Sequence, residues 1–175
     1  MGMARVLVGV MGPGEAALPE DCRNAYVLGQ AIATNSWVLV TGGRDVGVMD
    51  AANRGAREAG GLTVGILPSS ELVGASTFVE IPIVTGLGES RNNVNVLSCQ
   101  LIFACGMGTG TASEICLALK ARRHVVLVEP SGESARFFQA LDPVRTHVAA
   151  DTREAIQIAR ELLQDPGHLL DAQGK

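Results

Sequence analysis

The sequence predicts an α/β fold, a mainly parallel sheet with helices on both faces, and three observations carry that prediction. Short aliphatic runs alternate with helical patterns along the whole chain, the order expected of strand–helix–strand units. The run over 101–105 is apolar throughout, as a strand covered on both faces must be. Several of the runs end in glycine-bearing loops, around Gly12, Gly42 to Gly47, Gly86 to Arg91 and Gly106 to Gly110. In an open sheet such loops, beyond the carboxyl ends of the strands, meet in one crevice.

Taken in order, residues 4–10 form an aliphatic run closed by Gly12-Pro13-Gly14, a first central strand and its loop. Over 21–35, Ala25, Leu28 and Ile32 keep helical spacing, so one face can lie on a sheet. Residues 37–40 make a second strand that runs into Thr41-Gly42-Gly43-Arg44-Asp45-Val46-Gly47. The helix over 48–59 carries Met49, Ala52, Ala56 and Ala59 as a close-packing stripe, and Gly60-Gly61 stops it. A third strand spans 62–67 and closes at Pro68, and 69–77 is a polar loop without periodicity. Residues 78–84 are β-rich around Pro82, which places them at a strand start or a sheet edge. After Gly86 and Gly88, Ser90 is a plausible N-cap for a helix reaching Cys99.

The central stretch is 101–120. Five apolar residues form a strand, Gly106, Gly108 and Gly110 keep side chains out of the following loop, and a helix begins near Thr111. Beyond it, 124–128 is another buried strand, 134–141 a short helix and 146–150 a last strand. From Asp151 a final helix places Ala155, Ile158, Ala159, Leu162 and Leu163 at helical spacing and stops near Pro166-Gly167. No linker interrupts the alternation, so residues 1–170 read as a single Rossmann-like domain with a fraying tail at 171–175.

Composition narrows the function classes. At 175 residues with 47% hydrophobic content, the chain can bury a real core, which must be aliphatic because aromatics are only 3%. So few aromatics leave little stacking surface for single-stranded nucleic acid. A formal charge of -4 also argues against a phosphate-backbone binder. Cys22, Cys99, Cys105 and Cys116 form no C-x-x-C pair, and the last three fall in buried-looking segments. His124, His147 and His168 are scattered, so no metal site is expected. Free thiols without secretory context point to a cytoplasmic setting. No run approaches the roughly 18 apolar residues that suggest a membrane span. The first strand–helix unit lacks G-x-G-x-x-G, which disfavours an ordinary dinucleotide oxidoreductase.

The chemistry concentrates in the glycine loops. A helix start behind such a loop offers unpaired N–H donors and partial positive charge, which suits a phosphate or another oxyanion. Glu114 has two readings. With Thr111 it completes the T-x-x-E spacing of a capping box; alternatively its carboxylate is held over the anion site as a base or an acceptor. Arg91 is either an exposed arginine on a helix end or a guanidinium that grips phosphate bidentately, and the adjoining glycine loop favours the second. The candidate ligand-binding residues are Gly12, Gly42, Gly43, Arg44, Gly47, Arg91, Gly108, Thr109, Gly110, Thr111 and Glu114.

Thr41-Gly42-Gly43 through Gly47-Val48-Met49, then Arg91, then Gly108-Thr109-Gly110-Thr111-Ala112-Ser113-Glu114 resemble the Rossmann-like group called lysine decarboxylase-like. The group includes the LONELY GUY phosphoribohydrolases, which release a base from nucleoside 5'-monophosphates, and the molybdenum cofactor carrier proteins. The resemblance covers roughly residues 5–163. In the hydrolases an Arg-Lys pair precedes Pro-Gly-Gly-x-Gly-Thr-x-x-Glu, with arginine and glutamate catalytic. Arg91 and Glu114 match those two positions. However, Asn92 stands in place of lysine and Gly106-Met107-Gly108 in place of Pro-Gly-Gly. The chain therefore resembles the carrier branch more than the enzymes, which implies molybdopterin as ligand, a molybdoenzyme as recipient, and a homodimer or homotetramer.

Overall fold

A computed structural model describes residues 5–164. The strands are β1 (Leu7–Met11), β2 (Val38–Thr41), β3 (Thr63–Leu67), β4 (Ile81–Val84), β5 (Leu101–Cys105), β6 (His124–Val128) and β7 (Thr146–Ala149). The helices are α1 (Pro19–Thr34), α2 (Gly47–Glu58), α3 (Arg91–Ser98), α4 (Thr109–Lys120), α5 (Gly132–Leu141) and α6 (Thr152–Gln164). All strand pairs are parallel, in the order β4-β3-β2-β1-β5-β6-β7. The frayed tail read from the sequence lies outside the described residues. Among those residues, no helix is long and apolar enough to cross a membrane.

Strand alternation divides the core. Val8, Val10, Leu39, Leu101, Phe103 and Val126 face α1, α2 and α6, while Val40, Ile66, Ile102, Ala104, Val125 and Leu127 face α3, α4 and α5. Aliphatic side chains thus fill both faces, as the unbroken apolar runs require. The pairing of α1 with α2 is a backbone contact. A Cβ at Gly29 would enter the carbonyl of Ala52, and one at Gly55 the carbonyl of Tyr26, so these two glycines let the helices touch. Pro82 sits in edge strand β4, where a missing N–H costs no ladder bond to a second neighbour.

Four local expectations are corrected. α4 starts at Thr109, with extended Gly108 as its N-cap, and Ala112 N–H donates to the Gly108 carbonyl at 2.9 Å; Thr111 lies inside the first turn. Ser90 precedes α3 in αR geometry and makes no capping bond, because a 3-10 turn over Gly88–Ser90 feeds straight into the helix. Ala59 is exposed at the end of α2 instead of completing its buried stripe. Cys116 lies on the solvent side of α4, whereas Cys99 and Cys105 are buried and their thiols are pushed well above the usual range by desolvation.

The strand order fixes where a site can form. β1 lies between β2 and β5, so the chain turns one way after β1 and the other after β5, and the two loops part above the sheet. That is the topological switch point, where open α/β sheets hold their ligands.

Candidate functional site

The cleft at the switch point has a volume of about 230 Å³ and draws on four loops. Gly12 and its neighbours follow β1, Gly42 and Arg44 follow β2, Glu89, Arg91 and Asn92 enter from the 3-10 turn and α3, and Gly108 to Glu114 come from the start of α4. Among the residues expected from the sequence, it gathers Gly12, Gly42, Arg44, Arg91, Gly108, Thr109, Gly110, Thr111 and Glu114.

Gly43 and Gly47 stand behind the wall. Gly43, at φ +73°, packs against Gly65 of β3; its N–H donates to Thr41 Oγ1 and its carbonyl accepts from Ser76. Gly47, at φ +55°, packs against the Pro13 and Gly14 carbonyls. Both glycines shape loops through left-handed backbone, a conformation that costs a side-chain-bearing residue about 1 kcal/mol or more. Neither residue lines the cleft.

The start of α4 is open. It has no side-chain cap and no acidic residue in its first turn, so the N–H groups of Thr109, Gly110 and Thr111 keep their donor capacity at the positive end of the helix dipole. Thr111 Oγ1 is buried and has no hydrogen-bond partner among the described residues.

Arg91 is only 6% exposed, and its guanidinium forms no hydrogen bond or ion pair among the described residues. Burial pulls its pKa down, while the carboxylates of Glu114 and Glu89 act to raise it. Arginine remains charged in such surroundings, so the cleft holds an unpaired cation. Gly42 accommodates it: a Cβ there would run into both terminal nitrogens. Arg44, at the rim, is paired with Glu15 at 2.6 Å.

Glu114 does not fold back to cap its own helix. Its Oε1 accepts from Asn95 Nδ2 of α3 at 3.0 Å, and only 6% of the residue is exposed. Desolvation raises its pKa to about 7, against the lowering influence of the Asn95 bond and the Arg91 charge. The carboxyl group therefore titrates near neutrality beside a buried cation. Asn95 escaped the sequence reading. Its spacing four residues after Arg91, on one face of the same helix, was the signal that could have found it. Met11, Glu15, Met49 and Glu89 also line the cleft without distinctive motifs.

His124 and His147, scattered in sequence, meet across β6 and β7 with Nδ1 to Nε2 at 3.0 Å. Among the described residues no group of three or more potential metal ligands forms.

Fold and cleft define a class: an open, doubly wound α/β protein whose switch-point crevice offers helix amides and a desolvated arginine, the donor set that suits an oxyanion. Within that class the chain belongs to the SLOG cluster4 family, whose model matches residues 5–158. It is similar to the solved molybdenum cofactor binding protein of the phototrophic bacterium Rippkaea orientalis, with 47% identity and TM-score 0.91, covering 93% of this chain and 100% of that one. The Moco carrier protein of Chlamydomonas reinhardtii is 48% identical with TM-score 0.87, covering 91% and 98%. A shorter match, 46% over 50 residues, joins it to a cytokinin riboside 5'-monophosphate phosphoribohydrolase of Mycobacterium marinum, covering 29% of this chain and 27% of the relative.

Proposed function

We propose that this protein binds molybdenum cofactor and carries it, shielded from oxidation, to apo-molybdoenzymes. The observation that carries the reading is Arg91, a buried cation without a partner among the described residues, beside an uncapped helix start. A phosphate matches that donor set in charge and acceptor number, with bidentate contact from arginine and further bonds from the α4 amides. Molybdopterin carries such a phosphate, and the two solved relatives are named for this cofactor. Gly12, Gly42, Arg44 and Gly108 to Thr111 would surround it. The test measures the half-life of free molybdenum cofactor activity with and without the protein, followed by reconstitution of an apo-molybdoenzyme. Equal decay in both samples would refute the carrier role.

A second reading is favoured by Glu114, whose carboxyl group sits beside Arg91 with a pKa near 7, suited to acid–base work on a nucleoside 5'-monophosphate. The short match to a phosphoribohydrolase points the same way. Against it stand Asn92, which supplies no charge where the enzymes have lysine, and the altered Gly106-Met107-Gly108 segment. Release of free base from nucleoside monophosphates, lost in Glu114→Gln with the fold intact, would establish it.

Assembly as a homodimer or homotetramer fits the apolar side chains that α3 exposes, Val94 and Leu97, and the exposed β4 edge. A monomeric mass by light scattering at micromolar concentration would contradict that assembly. A cytoplasmic setting accords with the free thiols.

A further inference from the structure

The donors of the cleft suit an anion, yet one of the side chains that line it is a buried carboxyl group. Glu114 stands in the first turns of α4, lines the same space as Thr109, Gly110 and Thr111, and is only 6% exposed. As a carboxylate it would repel the oxyanion that the α4 start attracts, with little water at that depth to screen the repulsion. No ion pair joins it to Arg91 among the described residues, so the guanidinium does not cancel its charge by direct contact.

The surroundings of Glu114 favour its neutral form. Desolvation outweighs the opposing influence of Asn95 and Arg91, and Glu89 adds to the rise, so the pKa is pushed up to about 7. The other charged groups lining the cleft among the described residues are Glu15 and Arg44, which pair with each other at the rim. On the α3 side, Cys99 donates to the Asn95 carbonyl at 3.2 Å, and burial keeps that thiol protonated. Asn95 sets the place of the Glu114 proton. Its Nδ2 donates to Oε1 at 3.0 Å, which makes Oε1 the carbonyl-like oxygen of the acid and leaves the hydrogen to Oε2. In that form the group is a donor, which is what an oxyanion requires.

We propose that Glu114 meets the ligand's oxyanion as a carboxylic acid, a hydrogen-bond donor aligned by Asn95, so that the protein takes up a proton as the anion binds. The carboxylate form repels the anion, and an anion bound against the acid form holds the proton in place. Affinity for the ligand and affinity for the proton therefore rise together. Binding is at full strength below the pKa of free Glu114 and is lost as pH rises through it. Capture is favoured in mildly acidic surroundings and release in alkaline ones. Asn95 is a positioning residue, because it acts only through Glu114. The inference rests on the phosphate reading of the cleft and adds the proton that accompanies the ligand.

The test is calorimetric titration of the whole protein with inorganic sulfate and inorganic phosphate across roughly pH 6 to 9, in buffers of different ionisation enthalpy so that the protons taken up are counted. Sulfate stays fully ionised over this range, so a proton that enters with it goes to the protein. Wild-type affinity for sulfate should be highest at the acid end and fall by about tenfold per pH unit above neutrality, since only the protonated fraction binds. About one proton should enter with each sulfate at the alkaline end. Glu114→Gln keeps an acceptor for Asn95 and a donor for the anion but has no proton to exchange. Its affinity should stay level, match that of wild type at the acid end, and show no proton uptake. Asn95→Leu removes the bond that favours the ionised form, so the fall should move to higher pH, whereas a merely structural role would weaken binding equally at every pH. Sulfate affinity independent of pH in wild type, or a fall that persists in Glu114→Gln, overturns the proposal. Binding of phosphate with sulfate excluded overturns it too, because an ionised Glu114 would then be accepting from a protonated phosphate. An unmoved profile in Asn95→Leu overturns the part given to Asn95. Failure of wild type to bind either anion overturns the phosphate reading beneath. Should a variant not fold, proton uptake by wild type decides.

Discussion

Two helix starts in this chain carry related sequences and behave in opposite ways. At α6, Asp151 Oδ1 accepts from the Glu154 N–H at 2.8 Å and the Glu154 carboxylate accepts from the Ala150 N–H, one residue before the N-cap, at 2.6 Å, a reciprocal pair closely related to the capping box. At α4 the spacing Thr111 to Glu114 has the same form, yet Thr111 Oγ1 has no partner among the described residues and Glu114 turns to Asn95 of α3. The α6 start satisfies its own donors and is finished as a structural end. The α4 start leaves donors open, with a buried cation beside them. A cap signature is therefore read correctly only when it is known what else the glutamate can reach, and the unfinished helix marks the site.

The largest expected effect comes from removing the unpaired cation. Arg91→Ala should weaken phosphate binding by about 1.5 to 3 kcal/mol, the range for a hydrogen bond to a charged group, as measured by calorimetry. Because a desolvated charge without a partner opposes folding, Arg91→Leu should leave thermal stability unchanged or raise it while it abolishes binding. A variant that loses both stability and affinity would show Arg91 to be a structural residue. Next comes Glu114. Its folded pKa, about 7, lies above the ordinary 4.5, so the folded state holds a proton that the unfolded state releases between those values. Stability should therefore fall as pH rises through that window, by roughly 3 kcal/mol in all. Glu114→Gln should flatten the slope in denaturant titrations from pH 4 to 8. If the slope persists in the variant, another group is responsible.

Most of the fold was legible because buried parallel strands leave an apolar signal, and the runs at β1, β2, β5 and β6 carry it. Helix starts were harder. Gly108 reaches an extended N-cap conformation without any side-chain signal, so Thr111 looked like the beginning of α4. At the site, motif glycines were visible as a set, but not their separate duties: Gly42 makes room for Arg91, whereas Gly43 and Gly47 hold backbone turns. Burial of Arg91 depends on α3 packing over β2 and β3, which no local pattern encodes.

A smaller effect separates the position of the cation from its presence. Gly42→Ala keeps Arg91 but drives a methyl group into the guanidinium, which must swing away. Phosphate affinity should fall by about 1.5 kcal/mol, roughly the lower bound for the charged hydrogen bond itself. Raising salt should weaken the remaining binding further, because a displaced arginine interacts through more solvent. Wild-type affinity in Gly42→Ala would mean that the guanidinium adopts another position when an anion is bound.

The smallest effect belongs to the finished helix, and it tests the contrast from its other side. Asp151→Ala removes the acceptor for the Glu154 N–H at the start of α6 and leaves the Glu154 carboxylate its own bond to Ala150. Loss of an N-terminal cap destabilises a helix start, and the exposed setting of this pair makes the deficit the smallest of those considered. The carboxyl pKa of Asp151 is lowered, first by the Glu154 N–H, so that part of the stability is present at neutral pH and lost in acid as the group protonates. Denaturant titration at pH 7 should resolve the deficit, and phosphate affinity should equal that of wild type because α6 supplies nothing to the cleft. If Asp151→Ala lowers affinity as well, the two helix starts are coupled through the sheet and the open end of α4 is not an independent site.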